Sequence, residues 1–299
     1  MGKRVEQGLG SAKAWLWRWQ TRAITSLGFA ATARRVKVLR PGASTPASPE
    51  SLVVVCLMRD AGGYVDSYIE HYRRLGAVRI VLLDNGSTDD SVERAMSYDG
   101  VTVLRCELPF RWFRTAMRRY LVETYGDGGW VLLADVDELW DYPFSEGLAL
   151  GSFLQYLNEH SDTAVAAQML DLFAPGPVDG WPDAGPELVQ AATWFDLSDV
   201  RKQELPAAAL RNRFAAEAPP CFNGGLRMRA FSADPLLTKF PLTRRENGRG
   251  PLVENAHFVS GASVADVTCV LLHYKFDGRF RERTEEAVRR KNLRTALQN

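Results

Sequence analysis

The chain has 299 residues, 46% of them apolar, which is enough to bury a sizeable core in one large domain or two small ones. Its 37 basic residues nearly balance 36 acidic ones, a composition that argues against a general nucleic-acid binder. Charge is nonetheless uneven. Before residue 41, Lys3, Arg4, Lys13, Arg18, Arg22, Arg34, Arg35, Lys37 and Arg40 face the single acid Glu6, so this segment is suited to an anionic surface.

Residues 14 to 29 carry Trp15, Leu16, Trp19, Ala23 and Leu27 on one helical face, with Arg18, Thr21 and Arg22 toward the other. Such a helix can lie in a membrane interface or pack on the protein body, and the pattern does not choose between them. Pro41 to Pro49 then reads as a linker, dividing a cationic segment over 1–49 from a domain over 50–299. No run approaches the roughly twenty apolar residues that cross a bilayer, and no secretory signal is visible. The widely spaced Cys56, Cys106, Cys221 and Cys269 lack zinc spacing and read as buried thiols. These features predict a cytoplasmic protein with at most peripheral contact, through residues 1–40, with the inner face of a membrane.

From Leu52 the pattern alternates strand and helix. Leu52 to Met58 is an apolar strand, and Tyr64, Val65, Tyr68, Ile69, Tyr72 and Leu75 follow at helical spacing with Gly76 as C-cap. Strands at Arg79 to Asp84, Val101 to Cys106 and Trp130 to Ala134 alternate with helices at Asp89 to Tyr98 and Trp112 to Tyr125. This alternation predicts an α/β fold with a mostly parallel central sheet, flanking helices and a ligand crevice at the carboxyl ends of the strands. The second half is less regular. A helix is expected over Gly147 to Leu157, strands over Ala164 to Phe173, Leu226 to Phe231 and Thr268 to Tyr274, and a charged helix from about Phe280.

The segment Trp130-Val-Leu-Leu-Ala-Asp135-Val-Asp137-Glu138 ends an apolar run in three carboxylates. Residues two apart in a strand point the same way, so Asp135 and Asp137 are expected to present hard oxygen ligands for Mg²⁺ or Mn²⁺ to one spot at the strand's end. Acids at a strand end also serve simply to cap the next helix. Arg59-Asp60 and Asp84-Asn85 fall at other strand ends, so three polar clusters converge on the same rim. In Asp84-Asn-Gly-Ser-Thr-Asp89, Asp84 is placed to accept from a ribose or base, although Asn-Gly and Asp are also ordinary turn residues.

Together, Val54-Val-Cys-Leu-Met-Arg59-Asp60, Leu83-Asp-Asn-Gly-Ser-Thr-Asp89 and Trp130 to Glu138 resemble the family 2 type glycosyltransferases with a GT-A fold, in particular bacterial members with Asp-x-Asp-Glu. Weaker pieces of the resemblance are Gly224 to Phe231, Lys239 to Leu242 and Leu271-Leu-His-Tyr-Lys-Phe276. The resemblance implies a nucleotide-sugar donor, with UDP the expected nucleotide, a glycan or lipid-linked acceptor, and Mn²⁺ or Mg²⁺ at Asp137, with Asp135 on the ribose or the metal. It also implies that Arg59, Asp60, Asp84, Asn85 and Asp89 surround the nucleotide, although Ala61 stands where relatives commonly have Glu. His273, late in the chain, matches a position that completes the metal site in many such enzymes; a lone His beside a core strand is equally a satisfied structural residue. His71, His160 and His257 have weaker claims.

A nucleoside diphosphate leaving group needs cations. Arg114 and Arg118, one helical turn apart, are candidates, as are Arg227, Arg229 and Lys275, each of which could instead belong to a solvated basic face. For the base that takes the acceptor's proton the candidate is Asp171, a carboxylate inside an apolar strand, with Glu246 in reserve. Asp171 could equally pair with an Arg. Two other classes remain: a nucleotidyltransferase, which needs a phosphate-cradling loop after its first strand, and a non-catalytic carbohydrate-binding protein on the same fold.

Overall fold

The computed structural model describes residues 27–43, 47–206, 209–215 and 217–289. Most of the amphipathic segment at 14–29 lies outside the described residues, and the expected membrane contact of that segment with it. Residues 27–35 are helical (α1) and lead into β1 (Lys37–Arg40), which pairs antiparallel with β4, so residues before the Pro-rich stretch form an edge of the sheet.

The elements that follow are β2 (Leu52–Met58), α2 (Gly62–Leu75), β3 (Arg79–Asp84), α3 (Ser91–Ser97), β4 (Val101–Arg105), α4 (Phe110–Tyr125), β5 (Gly129–Leu133), β6 (Glu138–Asp141), α5 (Leu150–Glu159) and β7 (Ala164–Phe173). Next come α6 (Pro186–Ala191), β8 (Trp194–Phe195), β9 (Val200–Gln203), β10 (Arg213–Phe214), β11 (Cys221–Gly224), α7 (Leu226–Phe231) and β12 (Thr238–Arg245). The chain ends on β13 (Leu252–Val253), β14 (Val259–Ser260), β15 (Ser263–His273) and α8 (Phe280–Arg289).

One 11-stranded sheet runs β1-β4-β3-β2-β5-β12-β7-β15-β10, with β6 added on β15 and β8 on β7. β2, β3, β4 and β5 are mutually parallel, β12 runs against both β5 and β7, and β15 is parallel to β7 and β10. Buried on both faces, β2 is apolar throughout, and its side chains divide by parity between two cores. Leu52, Val54, Cys56 and Met58 pack with α2 and α5, whereas Val53, Val55 and Leu57 pack with Met117, Leu121 and Val122 of α4. All four cysteines are buried, free thiols. Gly76 caps α2 with φ 99°, a left-handed conformation that glycine adopts without strain.

Two expectations change. Leu226 to Phe231, read as a strand from its alternating Leu-Arg-Met-Arg, is a helix. The chain turns through Gly224 at φ 95°, where an added Cβ would lie 2.3 Å from the Asp199 carbonyl oxygen, and then starts a helical turn with Met228 N–H donating to Gly225. β12 was not foreseen as a strand, because Pro241 interrupts it. The register slips between Lys239 and Leu242, the kind of irregularity that admits proline to a sheet. No helix among the described residues is long and apolar enough to cross a membrane.

Candidate active site

The carboxyl ends of β2, β5, β7 and β15 and the start of the antiparallel β12 meet at one rim, around a cavity of about 680 Å³. Arg59, Arg114, Arg118, Asp135, Asp137, Arg227, His273 and Lys275 line it, so the rim gathers residues from five separate stretches of sequence.

The acidic motif leaves the strand before its acids. β5 stops at Leu133, and a turn closed by Glu138 N–H donating to the Asp135 carbonyl separates it from β6. The two-residue period of a strand therefore does not apply, and the two aspartates diverge. Asp135 faces Arg118 (Nη2 to Oδ1, 2.8 Å) and Lys239 (Nζ to Oδ2, 3.2 Å), while Asp137 faces His273 (Nε2 to Oδ2, 3.2 Å). Two tyrosines of α2 brace this loop from below: Tyr68 donates to the Ala134 carbonyl, and Tyr72 donates to the Glu138 carbonyl and accepts from Trp140 N–H.

Sheet register builds the second half of the site. β15 places His273 opposite Asp171 of β7 on one side and Glu138 of β6 on the other, which puts the three side chains on one face. His273 Nδ1 is 2.6 Å from Asp171 Oδ1, and Arg227 Nε donates to Asp171 Oδ2 at 2.8 Å. The result is a row of interlocked polar groups, Arg227, Asp171, His273 and Asp137, buried up to Asp137, whose side chain is a quarter exposed. Burial alone would push the His273 imidazole down, but the Asp137 and Asp171 carboxylates outweigh it and raise its pKa. Burial likewise opposes ionisation of Asp137, and His273, then Lys275, brings that carboxyl down to about 2. Asp171 is also held below the usual range, burial being outweighed by His273 and Arg227.

Lys239 and Glu138, absent from the sequence-derived site, complete the other half. The Lys239 ammonium is buried, bound to Glu138 and to Asp135, and these two acids raise its pKa against the effect of burial. Glu138 also accepts from the Asp135 N–H at 3.1 Å. The Lys239→Met variant leaves two carboxylates short of a cation, one of them fully buried, and loses about 3–5 kcal/mol of stability in urea unfolding. A loss below about 1 kcal/mol means that Arg118 alone balances the pair. His257 lines the same cavity. Its Nδ1 donates to the Thr238 carbonyl at 3.2 Å, and burial, then the nearby Lys239, lowers its pKa to about 3, so the ring is neutral and Nε2 carries the lone pair.

Several expected site residues are not brought to the cavity. Asp84 is fully buried and accepts from the Gly86 and Ser87 amides and from Arg105, and Asn85 donates to the Cys106 and Leu108 carbonyls. Asp60 and Asp89 lock two loops together: Asp60 accepts from the Thr88 amide, and Asp89 from Gly62 and Ser91. Backbone donors take both Asp89 oxygens and one of Asp60, whose other oxygen lies near Arg59; this is turn chemistry. Arg229 pairs with Asp196 and Asp199 in the open, and Glu246 pairs with Arg244. Asp171, the candidate base, has both oxygens engaged and its side chain only 3% exposed.

The donor set fits a divalent ion. Asp137, Glu138 and His273 each offer a ligand atom within 4.8 Å of one another, and Asp171 holds Nδ1 so that Nε2 turns to Asp137, the carboxylate-histidine arrangement common behind metal sites. Of the two acids, Glu138 is committed to Lys239, which leaves Asp137 and His273 as the pair open to a metal.

The glycosyl transferase family 2 model matches residues 51–204, from the start of β2 through the acidic motif to just past β9. The chain belongs to this family. Its mixed sheet with β12 inserted antiparallel beside β5 is the GT-A fold, as expected from the sequence. The match ends before Arg227, Lys239, His257 and His273, so half of the site lies beyond it. Among curated proteins, none matches the chain in sequence. Among solved structures, a mycobacterial protein is 22% identical over 50% of this chain and 45% of its own, with a TM-score of 0.30. The mannosyltransferase PcManGT from Pyrobaculum calidifontis, solved with GDP-Man and Mn²⁺, is 15% identical over 62% of this chain and 58% of its own, with a TM-score of 0.29. The chain thus spans about half the length of these two proteins, and neither similarity is high enough to carry a substrate across.

Proposed function

We propose that this family 2 protein transfers a sugar from a nucleoside diphosphate donor, UDP-linked in the first instance, to a hydroxyl of a glycan or lipid-linked acceptor, aided by Mn²⁺ or Mg²⁺. The observation that carries this reading is the row Arg227, Asp171, His273 and Asp137 opening on a cavity edged with cations. Asp137 and His273 would hold the ion, and the imidazole favours Mn²⁺ over Mg²⁺. Once bound, a divalent ion supplies Lewis acidity toward the departing diphosphate.

The protein's own groups do the rest. Arg59, Arg114 and Lys275 on the cavity wall supply positive charge to a diphosphate. Arg118 and Lys239 fix the Asp135 carboxylate, so its role is to order the cationic wall rather than to ligate. Asp171 orients the His273 ring and is a positioning residue, since neither of its oxygens is free to take the acceptor's proton. Neutral His257 offers Nε2 as a hydrogen-bond acceptor for a sugar hydroxyl.

The nucleotidyltransferase reading loses ground on the loop after β2. The amides of Asp60, Ala61 and Gly62 donate to Ser87 Oγ, Ser91 Oγ and Asp89, and are therefore unavailable to cradle a phosphate. Thermal-shift screening of nucleotide sugars tests the proposal. A UDP-sugar is expected to raise the melting temperature by several degrees with Mn²⁺ and much less in chelator. No shift from any nucleotide sugar in either condition would sink the reading and favour a non-catalytic role.

A further inference from the structure

We propose that the sheet edge formed by the end of α1, β1 and the first turn of α4 docks on an anionic membrane surface beside the mouth of the donor cavity. The observations are separate from those that build the active site. Arg35 and Lys37 form, with Arg105, Glu107 and Leu108, a cavity of about 240 Å³ whose only acid is Glu107. β1 pairs Lys37 with Arg105, and Arg105 is already bound to Asp84, so the outward charge comes from Arg35 and Lys37. Neither makes an ion pair among the described residues, and the neighbouring Arg34 is equally exposed.

Leu108-Pro109 leads directly from this cavity into α4. There Arg111 lies 5.2 Å over the ring of Trp112, and Trp112 is 75% exposed. A tryptophan left in water beside unpaired arginines is costly in solution and favourable at a lipid headgroup layer, where the ring enters the interface and the cations meet phosphates. Val38 and Leu39 of β1 add exposed apolar surface to the same edge. α1 is held against α4 by Phe29, which meets the Tyr120 ring and lies under the Arg119 guanidinium, so the cationic groups sit on a packed frame.

The position matters because α4 serves both surfaces. Phe110, Arg114, Thr115 and Arg118 of its first turns line the donor cavity, while Trp112, with Arg111 over its ring, stands exposed on the same helix. Docking there brings the cavity next to lipid headgroups and selects a lipid-linked acceptor over a soluble glycan. That consequence rests on the glycosyl-transfer reading, whereas binding to the membrane does not.

Sedimentation of the full chain with vesicles, in the absence of nucleotide, tests the surface alone. Vesicles of phosphatidylcholine mixed with phosphatidylglycerol at about three to one should bind the protein, and pure phosphatidylcholine should not. The triple variant Arg35→Ser, Lys37→Ser, Arg111→Ser should bind about a hundredfold more weakly with an unchanged melting temperature, and Trp112→Ser about tenfold more weakly. A control that keeps the charge, Arg35→Lys with Arg111→Lys, should bind as the wild type does. Equal binding to both vesicle types, no binding by the intact chain, or undiminished binding by the triple variant would overturn the proposal. The last result assigns attachment to residues 1–26.

Discussion

Replacing Asp137 by alanine should lower sugar transfer by at least about a thousandfold while leaving the fold intact. The side chain is a quarter exposed and sits in a turn rather than in a strand, so its removal opens no cavity in the sheet. Its carboxylate faces His273, which keeps Asp171 on its other nitrogen. Loss of Asp137 therefore removes an oxygen from the metal position without dismantling the row behind it. Steady-state transfer and urea unfolding measured on the same preparation check both parts. A variant with a few per cent or more of wild-type transfer would remove Asp137 from the chemistry.

A stability effect as large as that at Lys239 is expected at Arg227. This guanidinium and the Asp171 carboxylate are both 3% exposed, and the Arg227→Met variant leaves Asp171 buried with His273 as its only strong partner. Breaking a buried pair from one side costs about 3–5 kcal/mol. Because Asp171 orients the imidazole, Asp171→Asn should weaken Mn²⁺ binding about 10- to 100-fold, even where the protein remains folded. Denaturant midpoints report the first effect and metal titration the second. If Arg227→Met costs less than about 1 kcal/mol, the row is not the electrostatic unit described above.

The first half of the fold was legible because its signals are local. β2 alternates between two cores within seven residues, and Gly76 ends α2 where the apolar spacing ends. The acidic motif announced a site by the same means, three carboxylates closing an apolar run. What the sequence hid depends on register between distant strands. Asp171 in an apolar strand signals that a partner exists, but only the pairing of β7 with β15 names it as His273, and only the helix behind Gly224-Gly225 brings Arg227 beneath it. Lys239 was obscured by Pro241, which disguises β12 as a loop. Asp84, Asn85 and Asp89 were harder to place, since turn chemistry and nucleotide recognition use the same residue types: here backbone amides bond to the Asp84 and Asp89 carboxylates, and the Asn85 amide donates to two backbone carbonyls.

If Asp137 and His273 together hold the ion that supports donor binding, paramagnetic resonance of Mn²⁺ titrated into the full chain with UDP will report it. The wild type should bind Mn²⁺ in the presence of UDP with a spectrum distinct from the aqueous ion, His273→Ala should bind it at least about tenfold more weakly with an altered spectrum, and Asp137→Ala should leave it in solution. An unchanged spectrum and affinity in both variants would show that neither residue holds the ion.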